Sequence, residues 1–254
     1  FTLSVPEKKE FLAEEIFGDH PHTFRFRGWF LNDEDLLTKR IKSGGKREID
    51  YPFYGDVCDV KSLDEILETA LRLGINTIIP GSLIDIDRPF ERALVEKCVE
   101  RGFYVTQHHV EPVGVSFWTK DNYFKRKGEK PISSFTAEKE RMKDVWEHYI
   151  KLWAKYGHNV IWQLGLRGKG DEPVWGSGDE KVLYEEWGKV ITEAIQTQFD
   201  LIKSEVGENF LSTATLWMEG AKMYTEGTLL LPQGVMPIFS DVGCTQMMSS
   251  DFFT

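Results

Sequence analysis

The residues with the most chemical potential stand in one short string, Gln163-Leu-Gly-Leu-Arg-Gly-Lys-Gly-Asp-Glu-Pro173. An apolar run over 159–166 passes straight into a glycine-punctuated loop. Gly165, Gly168 and Gly170 let the backbone turn sharply and approach a ligand, while Arg167, Asp171 and Glu172 offer one cation and two carboxylates for binding or proton transfer. A solvated turn draws on many of the same residue types. The same move recurs, however. The aromatic run over 24–31 ends in Asn32, Asp33, Glu34 and Asp35; the run over 76–80 precedes Asp85, Asp87 and Arg88; and the run over 103–107 leads into His108, His109 and Glu111. The run over 210–217 ends in Trp217 and leads to Glu219, and that over 236–239 leads to Ser240 and Asp241. Six apolar runs thus each finish in polar, acidic or imidazole groups.

Between these runs lie helical patterns that would position them. Ser62-Leu-Asp-Glu65 matches a capping box, and Ile66, Leu67, Ala70, Leu71 and Leu73 follow at helical spacing until Gly74. The spacing predicts further helices over 89–100, 136–156 and 179–206, each followed by glycine, and a shorter one over 220–229. In the second long pattern Trp146, Tyr149, Trp153 and Tyr156 recur every three or four residues, as a buried stripe does. Strand and helix therefore alternate, which implies parallel strands joined by right-handed crossovers, in an open doubly wound sheet or a closed barrel. Polar groups after so many strands favour the barrel, since an open sheet gathers its ligands at one switch point. The expected parallel neighbours are 26–30, 77–79, 104–106, 160–164, 212–216 and 237–239, with 56–61 and 118–134 as loops on the rim of the site.

The expected fold class is accordingly an α/β, TIM-type (β/α)8 barrel, incomplete in this chain at six strand–helix units. The expected organisation is an N-terminal linker or helical lead-in over 1–23 and a catalytic barrel over 24–254, truncated at its C-terminus and completed by residues outside the chain.

Composition narrows the partner. With 31 Lys and Arg against 41 Asp and Glu, the net charge of -10 opposes binding to nucleic acid or to an anionic membrane. No window approaches about 18 consecutive apolar residues, so no membrane span is expected. Cys58, Cys98 and Cys244 lack CxxC spacing and argue against a zinc cluster or a disulfide framework. Aromatic residues are abundant, and Trp29, Phe117, Trp118, Trp175 and Trp217 fall at or just beyond the proposed strand ends. Rings so placed can stack on the apolar faces of sugars, whose hydroxyls call for carboxylates and arginine.

Four strings in order, Phe26-Arg-Gly-Trp-Phe-Leu-Asn-Asp-Glu34, His108-His-Val-Glu-Pro112, Leu164-Gly-Leu-Arg-Gly-Lys-Gly-Asp-Glu-Pro173 and the segment 219–241, resemble the successive barrel motifs of glycoside hydrolase family 115. The resemblance implies a central barrel within a larger multidomain α-glucuronidase, acting with inversion and without a metal or other cofactor on (4-O-methyl)glucuronic acid side chains of xylan. It implies carbohydrate as partner, further domains of the same protein, a homodimer as one open assembly, and a periplasmic or extracellular location. Residue by residue, Asn32, Asp33 and Glu34 fall on the family's Asn-Asp-Glu motif; His109 and Glu111 on its His-His-Glu-Pro motif; Arg167, Asp171 and Glu172 on its Arg-Gly-x-Gly-Asp-Glu motif. Glu219 falls on the glutamate of Tyr-Lys-Glu, preceded here by Trp217 and Met218, and Asp241 on a motif that usually reads Asp-Asp-Asn but here reads Ser240-Asp241-Val242.

An inverting glycosidase needs one carboxyl acid and one carboxylate base about 6.5 to 9.5 Å apart. Glu219 with Asp171 or Glu172 is the expected catalytic pair; Asn32, Asp33, Glu34, His109, Glu111, Arg167, Trp217 and Asp241 are the expected substrate contacts, with Arg167 answering the uronate charge. Two other readings stay open. One is a carbohydrate-binding barrel without catalysis, suggested by Ser240; the other is a metal-assisted hydrolase using His109 with Glu111 or Asp241. Against the second, adjacent strand residues point to opposite faces, which would send His108 and His109 apart.

Overall fold

The computed structural model describes residues 22–32, 40, 42–51, 54–174 and 183–239. Its parallel strands are β1 (Gly28–Phe30), β4 (Thr77–Ile79), β5 (Tyr104–Val105), β6 (Ile161–Leu164), β7 (Leu211–Leu216) and β8 (Val235–Phe239). They pair in the orders β1-β4-β5 and β6-β7-β8. The two sets meet through a parallel bridge between Val105 and Val160, and just beyond it Gln163 N donates to Gln107 Oε1 at 3.0 Å, a side chain standing in for a ladder carbonyl. The six parallel runs expected from the sequence thus follow one another in chain order. Among the described residues no closed barrel forms; the fold is mixed α/β with parallel sheets and helices. No helix of the described residues is long and apolar enough to cross a membrane.

The helices are α1 (Val60–Arg72), α2 (Pro89–Glu100), α3 (Phe117–Arg126), α4 (Lys139–Trp153), α5 (Tyr184–Val206) and α6 (Glu219–Thr225). Their inward stripes make one core. In α4 Met142, Val145, Trp146, Tyr149, Ile150 and Trp153 are buried, at helical spacing, and each such large side chain contributes about 1.5–3 kcal/mol when removed from water. Tyr156, the last member of the predicted stripe, lies in the 3-10 turn Ala154–Asn159, which Gly157 breaks at φ 55°.

Three expectations change. The α1 cap is Asp59, whose side chain accepts from Ser62 N at 2.7 Å; Ser62 is itself inside the first turn and buried, so the expected capping box begins three residues too late. The segment 56–61 is not a loop. Asp56–Cys58 is strand β3, paired antiparallel with β2 (Ser43–Lys46). The cause is close approach: a Cβ on Gly44 would stand 2.4 Å from the Cys58 carbonyl oxygen, and one on Gly45 2.8 Å from the Phe90 ring of α2, so glycine lets this ribbon lie flat on its neighbours. Finally, the first half of 118–134 is helix α3, started by Ser116, whose hydroxyl accepts from Thr119 N at 3.1 Å, and only 127–134 remains loop.

Among the described residues, four that are not glycine hold a left-handed backbone: Leu83, Val113, Asp171 and Met218. They follow β4, β5, β6 and β7 in turn. Each such conformation costs on the order of 1–3 kcal/mol, so local strain gathers at one end of the parallel strands.

Candidate active site

That end opens on a cavity of about 830 Å³. On β6, β7 and β8 its inner wall takes alternate residues: Ile161 and Gln163, Thr213 and Thr215, Met236 and Ile238. Period-two alternation turns one side chain in two toward the same face. Gln163 is fixed there by the hydroxyls of Thr213 and Thr215, which both donate to its Oε1 at 3.1 Å, and by its own Nε2, which donates to Leu164 O at 2.9 Å.

The charged part of the rim is assembled from three consecutive strand ends. Beyond β6, Arg167 donates through Nε to Asp171 Oδ1 at 2.8 Å and through Nη2 to Asp171 O at 2.7 Å. Its Nη1 donates to Glu219 Oε1 at the start of α6, beyond β7. Beyond β5, His109 Nε2 donates to Asp171 Oδ1 at 2.8 Å. Trp217 completes the cluster, with the Arg167 guanidinium 5.4 Å from its ring centre and the His109 ring at 5.7 Å. Burial pushes the Asp171 carboxyl up, but the hydrogen bonds and charges of His109 and Arg167 outweigh it and hold Asp171 below its ordinary value. Asp171 is therefore a carboxylate at neutral pH.

The loop that carries these groups is anchored from behind. Gln198 of α5, fully buried, accepts from Gly165 N at 3.0 Å and donates to Gly165 O at 2.7 Å. Sequence reasoning passed over Gln198, although a signal existed: it occupies the apolar stripe of α5 with Ile191, Ile195 and Ile202, where a buried amide calls for a partner.

Both His108 and His109 line the cavity, contrary to strict strand alternation, because β5 ends at Val105 and the chain is already turning at 108–111. Burial first, and the neighbouring His109 and Arg167, push His108 down to about 3, so it is neutral and packs between Phe30 and His109 at ring distances of 4.6 and 4.2 Å. Glu111 is buried, and its Oε1 accepts from His108 N at 2.9 Å; it braces the histidine turn from within.

Asn32 lines the cavity and accepts from Ser82 Oγ at 3.1 Å, tying the ends of β1 and β4. Glu172 is exposed, and its backbone closes the turn after β6 through Gly168 N at 2.9 Å. Glu219 faces a crevice of about 40 Å³ shared with His109, Arg167 and Trp217, whereas His109, Asp171 and Trp217 also face the large cavity. Of the flagged rings, Trp29, Phe117, Trp118 and Trp217 line the large cavity. Asp33, Glu34, Trp175 and Asp241 lie outside the described residues. Asp85 is buried away from the large cavity, accepting from Tyr149 at 2.8 Å and Arg126 at 3.1 Å. Among the described residues no three His, Cys, Asp or Glu side chains converge as a metal ion would need.

Carboxylates oriented by a guanidinium and an imidazole beside an indole suit proton transfer on a ring that stacks, and the protein is by class a glycoside hydrolase. Residues 19–250 match the sequence pattern of glycosyl hydrolase family 115, and the chain belongs to that family, as its motifs implied. No curated protein matches the chain significantly.

Proposed function

We propose that this chain carries the catalytic (β/α) barrel of an inverting α-glucuronidase, releasing (4-O-methyl)glucuronic acid from xylan side chains or a related glycan. The observation that carries the reading is the Arg167 guanidinium shared between Asp171, which lines the cavity, and Glu219, in the crevice beside it. A uronate is an anion entering an acidic protein, and a planar guanidinium is the group best shaped to receive a carboxylate. Its arrival competes with Glu219 for Arg167 and frees that side chain to hold the proton that the leaving oxygen needs. Asp171, kept ionised, is the base: Oδ1 takes the bonds from His109 and Arg167, and Oδ2, which takes neither, accepts the proton of the attacking water. Water oxygen bonds to the anomeric carbon as the glycosidic bond breaks, the leaving oxygen gains its proton from Glu219, and the anomer inverts. Asn32 and Trp217 supply contacts to the sugar, with Asp33, Glu34 and Asp241 assigned to the same role by motif.

The test is turnover of a uronate-branched xylo-oligosaccharide followed by proton NMR. The β-anomer of the uronic acid should appear first, and Glu219→Gln should lower turnover by about a hundredfold or more while ligand binding persists. Retention of configuration would remove the inverting mechanism, and unchanged turnover would remove Glu219 from it.

A further inference from the structure

A second face of the same cavity is built of rings rather than charges. Tyr51 and Tyr54 stand on the connection between β2 and β3, stacked with centroids 5.5 Å apart and planes within 10°. Trp118, at the start of α3, leans on Tyr51 at 5.4 Å, and Phe117 meets Trp118 edge-on at 6.0 Å. All four line the cavity, and they gather around an apolar cluster separate from the main core. The wall touches the loop that bears Asp171: Lys169 Nζ lies 5.7 and 5.9 Å from the Phe117 and Trp118 ring centres, and a Cβ placed on Gly170 would be 3.6 Å from Tyr51 Cε2. The turn Lys169–Asp171 is thus flanked by rings on one side and by His109 and Arg167 on the other.

The reaction proposed above cuts between a charged sugar and a neutral one. The charged ring belongs at Arg167, His109 and Asp171. The neutral ring brings no charge to answer the Arg167 cation, so it gains less there than the uronate does. Its C–H face instead suits an aromatic surface. One cavity is lined both by this ring wall and by His109 and Asp171.

We propose that Tyr51, Tyr54 and Trp118 form the leaving-group subsite, which takes a pyranose of the neutral chain bearing the uronate. The assignment rests on the α-glucuronidase reading for the identity of the charged ring. It makes the β2–β3 ribbon, which contributes nothing to the acid–base cluster, the element that selects the chain to be debranched.

The experiment compares two substrates that share the uronate and differ in what leaves: α-glucuronosyl fluoride, with no leaving ring, and a uronate-branched xylo-oligosaccharide. Tyr51→Ala should lower kcat/KM for the oligosaccharide roughly tenfold and change that for the fluoride less than about twofold, while Tyr51→Phe, which keeps the ring, follows the parent on both. Unbranched xylotetraose, titrated by NMR, should bind the parent and lose roughly the same factor in Tyr51→Ala. Equal losses on both substrates, or xylotetraose affinity indifferent to Tyr51→Ala, would overturn the subsite. A parent inert toward both substrates refutes the α-glucuronidase reading instead, and the xylotetraose titration then decides the ring wall independently of turnover.

Discussion

Removing the Arg167 cation is the most direct test of how the rim is held together. The Arg167 side chain is 11% exposed, Glu219 14% and Asp171 32%. Arg167→Met keeps much of the volume but leaves Glu219 almost buried beside no cation, while Asp171 retains His109. Stranding one partner of a fully buried pair costs about 3–5 kcal/mol; with this residual exposure and one carboxylate still paired, a loss near the low end, about 3 kcal/mol at pH 7, is expected. Glu219→Gln in the same background removes the stranded charge, and should return roughly 1–2 kcal/mol of that loss as a coupling energy. Urea denaturation of the parent, both single variants and the double variant gives the cycle directly. The pH dependence follows from Asp171, whose folded value is depressed: its contribution is present above the ordinary carboxylate value and is lost as pH falls through the lower folded one. Part of the parent's advantage over Arg167→Met should therefore shrink in acid. A loss below about 1 kcal/mol, or additive single effects, would mean that solvent already screens the cluster, and the argument from burial would fall.

Two further outcomes follow from groups behind the site. Gln198→Leu fills the same stripe but orphans Gly165 N and Gly165 O; it should destabilise by about 2–4 kcal/mol and, by loosening the Arg167 loop, lower kcat at least about tenfold. Unchanged kcat in a folded variant, checked by circular dichroism, would show that the loop holds itself. Glu91 is pushed up to about 7, by burial above all, with Arg47 opposing. Because the folded value lies above the unfolded one, stability should fall as pH rises from about 5 to 7, and Glu91→Gln should flatten that slope in thermal melts across the window; an unchanged slope would place the titration elsewhere.

Legibility differed by element. The parallel strands could be read because short apolar runs ending at glycine or at polar residues leave few alternatives for the chain. The β2–β3 ribbon could not: Ser43-Gly-Gly-Lys46 has no β-branched or aromatic residue, and what admits it is the absence of side chains at Gly44 and Gly45. Helix α3 hid behind its aromatics, though Ser116 was an available cap. In the site, the motif spacing brought His109, Arg167, Asp171 and Glu219 to one rim. It could not say that Arg167 would be shared by two carboxylates, since that contact depends on where α6 starts relative to the loop after β6, a matter of packing between neighbouring units.

The backbone at Asp171, with φ 70°, carries a consequence for how such enzymes are probed. Asparagine and aspartate tolerate that region because their short polar side chains bond locally; other L-residues are forced into it. On the proposed mechanism, one position thus carries both a chemical duty and a conformational one. Alanine or glutamate at 171 would alter the turn and the proton acceptor together, and a dead variant of either kind would be silent about which loss mattered. Asparagine separates the two, keeping the turn while discarding the charge, and glycine likewise keeps the turn, without any side chain. A mutational scan that treats every substitution at 171 as equivalent would merge a folding defect with a catalytic one.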